Sequence, residues 1–239
     1  MQSIRLYLVR HGHVQYFDAA HQPINPKYAL LSDQGVQQIQ LLAEHLKAIS
    51  LDQIFSSTMP RSIQTAEILA THQVQQIIHS FDEIREIKSG RLKDIAPEQA
   101  ELFIKKAYYP QKFGLHGFLQ GESWTDFEAR VTQWFEQMLL QQDLSKSRHI
   151  LVSAHDAVNR IVLNWVQGLK NQDVQVQEQN YGCLNIIDFY LEDQQILESR
   201  ILLQNFTAHN ILKINESENA VDQVYNIYMK TNGFKGEVA

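Results

Sequence analysis

The sequence predicts an α/β fold. Apolar strand-like runs alternate with stretches of helical periodicity along the chain, and two of those runs end in a histidine. The 239 residues are enough to close one large core. Residues 4–9 are apolar apart from Arg5, rich in β-formers and the right length for a buried strand. Ser32 or Asp33 can cap a first helix, whose apolar residues Val36, Ile39, Leu42, Ala43 and Leu46 fall at helical spacing. Residues 54–57 read as a second strand, and Pro60 suits the first position of a second helix lined by Ile63, Ala66, Leu69 and Ala70. A third strand is expected at 74–79. Ser123 opens an amphipathic helix with Phe127, Val131, Trp134, Phe135 and Met138 inward. Residues 149–154 form a fourth, central strand, and the helix after it stops near Gly168. Residues 184–190 and 196–203 read as a hairpin at a sheet edge. Residues 84–120 break the alternation and form an excursion over the sheet. Near the end, Val221, Val224, Tyr225 and Tyr228 share one short helix.

The chain is 44% hydrophobic and 20% charged, as expected of a globular protein. Its net charge of −6 argues against nonspecific binding to nucleic acid or an anionic membrane. No apolar run approaches the roughly 20 residues of a membrane span, and no signal-peptide pattern precedes the first strand. A single cysteine, Cys183, excludes an internal disulfide framework and fits a reducing compartment. The expected location is therefore cytoplasmic, with Cys183 a buried structural thiol.

Three short segments carry chemistry. Residues 6–13 read Leu-Tyr-Leu-Val-Arg-His-Gly-His. Ligands of open α/β sheets sit at the carboxyl ends of strands, so His11 is placed as a nucleophile. Arg10 beside it can grip a phosphate with two parallel hydrogen bonds. Residues 56–66 run from a strand into a helix whose first turn holds Arg61. A helix N-terminus suits an anion, and Arg61 adds a second guanidinium. Residues 150–155 repeat the logic of the first segment, with His155 at the end of an apolar strand.

Arg10-His11-Gly12 resembles the signature of the histidine phosphatase superfamily, which includes the cofactor-dependent phosphoglycerate mutases. The resemblance spans roughly residues 4–210. It implies a three-layer sandwich, phosphoglycerate mutase-like, with a mostly parallel central sheet and helices on both faces. It makes residues 1–214 one domain with an insert at about 84–120, and residues 215–239 a C-terminal extension. It gives His155 the place of the second catalytic histidine and maps the proton donor to Glu86, with Asp82 and Glu83 as close competitors. Gly121-Glu122-Ser123, Asn180-Tyr181-Gly182, Asn205 and His209 are weaker matches. Three positions depart from the pattern: His13 replaces the usual Glu or Gln, Lys93-Asp94 stands for a Glu-Gly pair, and Asp156 replaces a Gly. Asp156 reads first as a helix N-cap, or else as a charge favouring protonated His155.

The implied reaction is hydrolysis of a phosphate monoester. Neutral His11 attacks phosphorus, Arg10, Arg61 and His155 surround the equatorial oxygens, and Glu86 protonates the leaving group. No metal and no cofactor is called for. The bulky run His13-Val14-Gln15-Tyr16-Phe17 lacks the polar stretch of the mutases and favours a phosphatase over a mutase. A non-catalytic phosphate-binding protein on the same fold is the other alternative. His11-Gly12-His13 also matches the His-x-His of metal-dependent amidohydrolases, but the chain has too few strands for their barrel. Between residues 84 and 117, seven Lys/Arg (Arg85, Lys88, Arg91, Lys93, Lys105, Lys106, Lys112) face four acids. Such an insert either draws anionic substrates in or forms a solvated mixed-charge surface. Tyr108, Tyr109, Phe113 and Phe118 either wall the pocket or belong to the core. The expected partner is a small phosphorylated anion, and a homodimer is the candidate assembly.

Overall fold

A computed structural model describes residues 2–15, 24–74, 77–143, 145, 148–170, 172–174, 177–214 and 220–231. Six strands form one sheet: β1 (Gln2–Arg10), β2 (Gln53–Ser57), β3 (Ile78–Phe81), β4 (Arg148–Ala154), β5 (Leu184–Glu192) and β6 (Gln195–Phe206). Their order across the sheet is β3-β2-β4-β1-β5-β6. β1, β2, β3 and β4 pair in parallel, whereas β5 runs antiparallel to both β1 and β6. The sheet is thus mixed, parallel on the side that carries both histidine strands.

Side chains alternate along β1, so its two faces feed two cores. Tyr7 and Val9 join Ile54, Leu151 and Leu184 under α1 (Asp33–Leu46) and α2 (Pro60–Leu69). Ile4, Leu6 and Leu8 join Phe55, Ile150 and Val152 on the opposite face. There they pack with α4 (Trp124–Leu140) and α5 (Asp156–Val166). α1 starts where Ser32 Oγ accepts the Gly35 N–H, and α4 where Ser123 Oγ accepts the Asp126 N–H. Phe127, Val131, Trp134, Phe135 and Met138 are all buried, as the periodicity predicts.

The third strand begins four residues later than expected. A 3₁₀ turn uses Ala70–His72, and the Gln73 side chain then bonds Leu51 N–H and Ile49 C=O, each at 3.0 Å. Val74 is left exposed, residues 75–76 lie outside the described segments, and pairing starts at Ile78 opposite Ile54. The hairpin is longer than expected, leaving only Asp193 and Gln194 in its turn, both with positive φ. That is the geometry favoured by the right-handed twist of paired strands.

The irregular region is a string of short helical turns that includes α3 (Pro110–Phe113). What it contributes is mainly apolar: Ile95, Ala100, Ile104, Ala107, Tyr108 and Leu119 are buried in the second core. Several of its cations have partners outside the candidate site. Arg91 pairs with Asp94, Arg85 with Asp82, and Lys105 lies over the Tyr225 ring. α6 (Ala220–Thr231) docks on this region, with Val221 and Tyr228 buried and the Tyr228 hydroxyl donating to Ile95 C=O.

Candidate active site

β1, β2 and β4 end side by side, so the topology brings the three sequence segments to one edge. Arg10, His11, Arg61 and His155 meet there, and all four are buried. His11 follows β1, and its backbone N–H still pairs with Ala154 C=O at the end of β4. The next residue must be small. A Cβ on Gly12 would stand 2.5 Å from the Gly35 carbonyl oxygen, so the β1 end lies directly against the start of α1.

The geometry sets the tautomer of His11. Nδ1 lies 2.8 Å from Gly12 C=O, an acceptor only, so Nδ1 carries the hydrogen. Nε2 is left with its lone pair, which receives the Arg61 Nε–H at 3.1 Å. Arg61 also donates to Pro26 C=O at 2.7 Å and touches the Met59 sulfur. His155 meets His11 edge-on, ring centroids 5.1 Å apart, and the Ser57 hydroxyl lies 2.6 Å from its Nε2. Burial lowers the pKa of both imidazoles well below its usual value, and Arg61 adds to the effect in each. Both rings are therefore neutral at pH 7.

Arg10 is fixed from several sides. Its Nη1 donates to Gln179 C=O, its guanidinium sits 3.9 Å over the Tyr181 ring, and Asp156 lies 3.5 Å away. Two buried polar atoms have no hydrogen-bond partner among the described residues and belong to this cluster: Arg10 Nε and His155 Nδ1. Buried orphans of this kind call for a polar occupant.

Asp156 is not an N-cap. His155 occupies that position, and Asp156 is the first residue of α5. Its carboxylate turns to the Arg160 Nε–H at 2.5 Å and the Tyr108 hydroxyl at 3.1 Å, besides Arg10. Burial opposes its charge, yet Arg10 and Arg160 outweigh burial and hold the carboxyl below its usual range. His155 stays neutral beside it, so the charge does not protonate that ring. The irregular region thus reaches the site through Tyr108, whose ring also lies 4.4 Å under the Arg160 guanidinium. Arg160 was not singled out from the sequence. Its signal was a lone charge among Val158, Ile161 and Val162, four residues after Asp156.

Glu86 is partly buried, and its carboxylate oxygens accept N–H groups from Ile87 at 3.0 Å and Ala157 at 3.2 and 3.3 Å. Burial raises its pKa, and the Asp156 charge raises it further. Its competitor Asp82 is exposed, and hydrogen bonding by the Thr58 hydroxyl, helped by Arg85, lowers its pKa. Asp82 therefore stays ionised, while Glu83 is simply exposed. His13 lies 2.8 Å by Nδ1 from Ser32 Oγ and edge-on to Tyr181. Val14 is buried, whereas Tyr16 and Phe17 lie outside the described residues. Cys183 is buried with its thiol pushed up to about 12, which makes it an unreactive core residue. Among the described residues, no three His, Cys, Asp or Glu form a group able to hold a metal ion.

A pair of arginines and a pair of neutral histidines thus gather where parallel strands of an α/β sheet end. The chain belongs to the histidine phosphatase superfamily, whose branch 1 it matches over residues 6–201. It is 31% identical over 170 residues to a probable phosphoglycerate mutase of Proteus mirabilis, covering 70% of this chain and 76% of that one. It is 27% identical over 191 residues to a probable 2-carboxy-D-arabinitol-1-phosphatase of Arabidopsis thaliana, covering 77% of this chain. The chain spans only 38% of the length of that plant relative. A solved mycobacterial glucosyl-3-phosphoglycerate phosphatase shares the fold, with a TM-score of 0.67 at 18% identity over 85% of this chain and 99% of that one.

Proposed function

We propose that the protein hydrolyses small phosphate monoesters through a phosphohistidine on Nε2 of His11. The observation that carries this reading is the Nδ1–H bond of His11 to Gly12 C=O, which aims a neutral lone pair at the Arg61 guanidinium. A phosphoryl group bound to Arg61 would sit in front of that lone pair.

In the first step Nε2 attacks phosphorus and the ester P–O bond breaks. Arg61 Nε–H passes from Nε2 to a phosphoryl oxygen, and Arg10 Nε and the His155 imidazole supply further donors. Such donors act most where charge spreads in the transition state. Glu86, whose pKa burial and the Asp156 charge raise, gives a proton to the leaving oxygen. In the second step water attacks the phosphohistidine, its proton goes to the Glu86 carboxylate, and inorganic phosphate leaves. The arginines supply the positive charge, so the steps run without a metal.

Relatives in this family are named as phosphatases and as mutases. The bulky run 13–17 favours hydrolysis, because it leaves out the polar residues expected beside a mutase's phosphoglycerate. The test supplies 3-phosphoglycerate with a catalytic amount of the 2,3-bisphosphate. Phosphate release in excess of isomerisation is the expected result. Efficient interconversion with little phosphate released would place the chain with the mutases.

A further inference from the structure

Glu86 stands on a segment without helix or strand, residues 82–91. A carboxyl that must meet a leaving oxygen within hydrogen-bond reach needs to be held from outside such a segment. Buried Ile84 and Ile87 anchor it on its apolar side. Its backbone polar groups are held mainly by Arg130 of the rigid helix α4 and by Glu122 just before that helix.

Arg130 Nη1 donates to Glu83 C=O at 2.6 Å and to Arg85 C=O at 3.0 Å, and Nη2 reaches Glu86 C=O at 3.4 Å. The same guanidinium grips Glu122 with two bonds, at 2.8 Å from Nε and 3.0 Å from Nη2. Glu122 in turn accepts the Lys88 N–H at 2.9 Å through its side chain and gives its own N–H to Lys88 C=O at 2.8 Å. The strap carrying Glu86 is therefore bound on both sides of that residue. The contact is also tight: a Cβ on Gly121 would stand 2.2 Å from Lys88 C=O. A planar guanidinium in a fixed fork suits this task, because it can hold three carbonyls and a carboxylate in one plane. A surface ion pair needs none of those carbonyl contacts.

We propose that Arg130, locked by Glu122, is a positioning residue that sets the Glu86 carboxyl against the leaving group. The proposal rests on the reading of Glu86 as general acid. It assigns Arg130 no contact with substrate; its positioning action runs through Glu86, while its charge also lowers the His155 pKa, less than burial, Arg61, His11 and Arg10 do.

The test compares phosphoenzyme formation, in the burst phase, from an alkyl phosphate and from a nitrophenyl phosphate. The alkoxide needs a proton and the phenolate needs little help. Glu86→Gln should slow the alkyl ester by about 10²- to 10⁴-fold and the nitrophenyl ester much less. Arg130→Gln should show the same selectivity, slowing the alkyl ester by up to about 10²-fold, the cost of a misplacement near 1 Å. Arg130→Gln combined with Glu86→Gln should be no slower than Glu86→Gln alone. Should Arg130→Gln not fold, Arg130→Lys keeps the charge and part of the carbonyl bonding, and should show the selectivity in weaker form. Equal slowing of both esters, no slowing of either, or multiplicative losses in the double variant would overturn the proposal while leaving Glu86 in its role. Loss of leaving-group selectivity in Glu86→Gln itself would remove the general-acid reading, and this proposal with it.

Discussion

His11 and His155 are neutral because burial and two neighbouring guanidiniums make a second proton costly. A neutral nucleophile is what attack on phosphorus requires. Read by NMR, neither ring should titrate near 6.5, the value of an unperturbed histidine. Either ring gaining a proton at that pH would contradict this. The sign of the accompanying stability change follows. Each folded-state pKa is lowered, so the stabilisation is whole above the unfolded value near 6.5 and falls as pH drops below it. Unfolding free energy measured in urea should therefore decline on acidification from about pH 6.5, and less steeply in His155→Gln. Glu86 has the opposite perturbation. Its raised pKa keeps the proton on the carboxyl further towards neutrality than a free glutamate would. Alkyl-ester turnover should thus fall on the alkaline side, and Glu86→Gln should flatten that limb.

The helix α5 meets the irregular region at Tyr108, which touches both members of a buried ion pair within the helix. Asp156 and Arg160 are four residues apart and both nearly inaccessible. A pair like this adds little net stability, because desolvation offsets its attraction, but breaking it strands a charge. Asp156→Asn should cost about 3–5 kcal/mol of unfolding free energy, the range for removing one partner of a buried pair. A loss under about 1 kcal/mol in urea unfolding would show that Arg160 finds other partners. Much of this element was open to reading in the sequence: its strand, its histidine and the charge at its start. What could not be read was the destination of Asp156. Local propensity makes an acid at a helix start a cap, whereas its actual partners Arg10 and Tyr108 come from β1 and the irregular region. Arg130 was hidden for the same reason. On α4 it looks like one more polar residue on a solvated face, and only the folded chain brings the carbonyls of residues 83, 85 and 86 to it.

Across the whole protein, the parallel half of the sheet concentrates the candidate site at one edge. Two apolar strands that lead into histidines and one strand-to-helix turn that carries Arg61 suffice to assemble Arg10, His11, Arg61 and His155, and those signals are local in sequence. The long excursion between β3 and α4 was legible only as an interruption, because its turns follow no single period and its order comes from tertiary burial. Four of its seven cations, which composition alone could place over the pocket, face other groups: Arg85 faces Asp82, Arg91 faces Asp94, and Lys105 and Lys112 face aromatic rings. In the proposed site, two guanidiniums and two neutral imidazoles would meet a phosphate with charge supplied by protein. Turnover should accordingly survive exhaustive chelation, and loss of activity that returns with added zinc would refute a metal-free mechanism. The covalent step is open to direct observation. Protein quenched during turnover of a phosphate monoester and mapped by mass spectrometry under alkaline conditions should carry an acid-labile, base-stable phosphoryl group on His11. His11→Ala should carry none and release no phosphate. A protein that turns over with His11 unmodified, or that keeps near-normal activity in His11→Ala, would contradict the phosphohistidine mechanism.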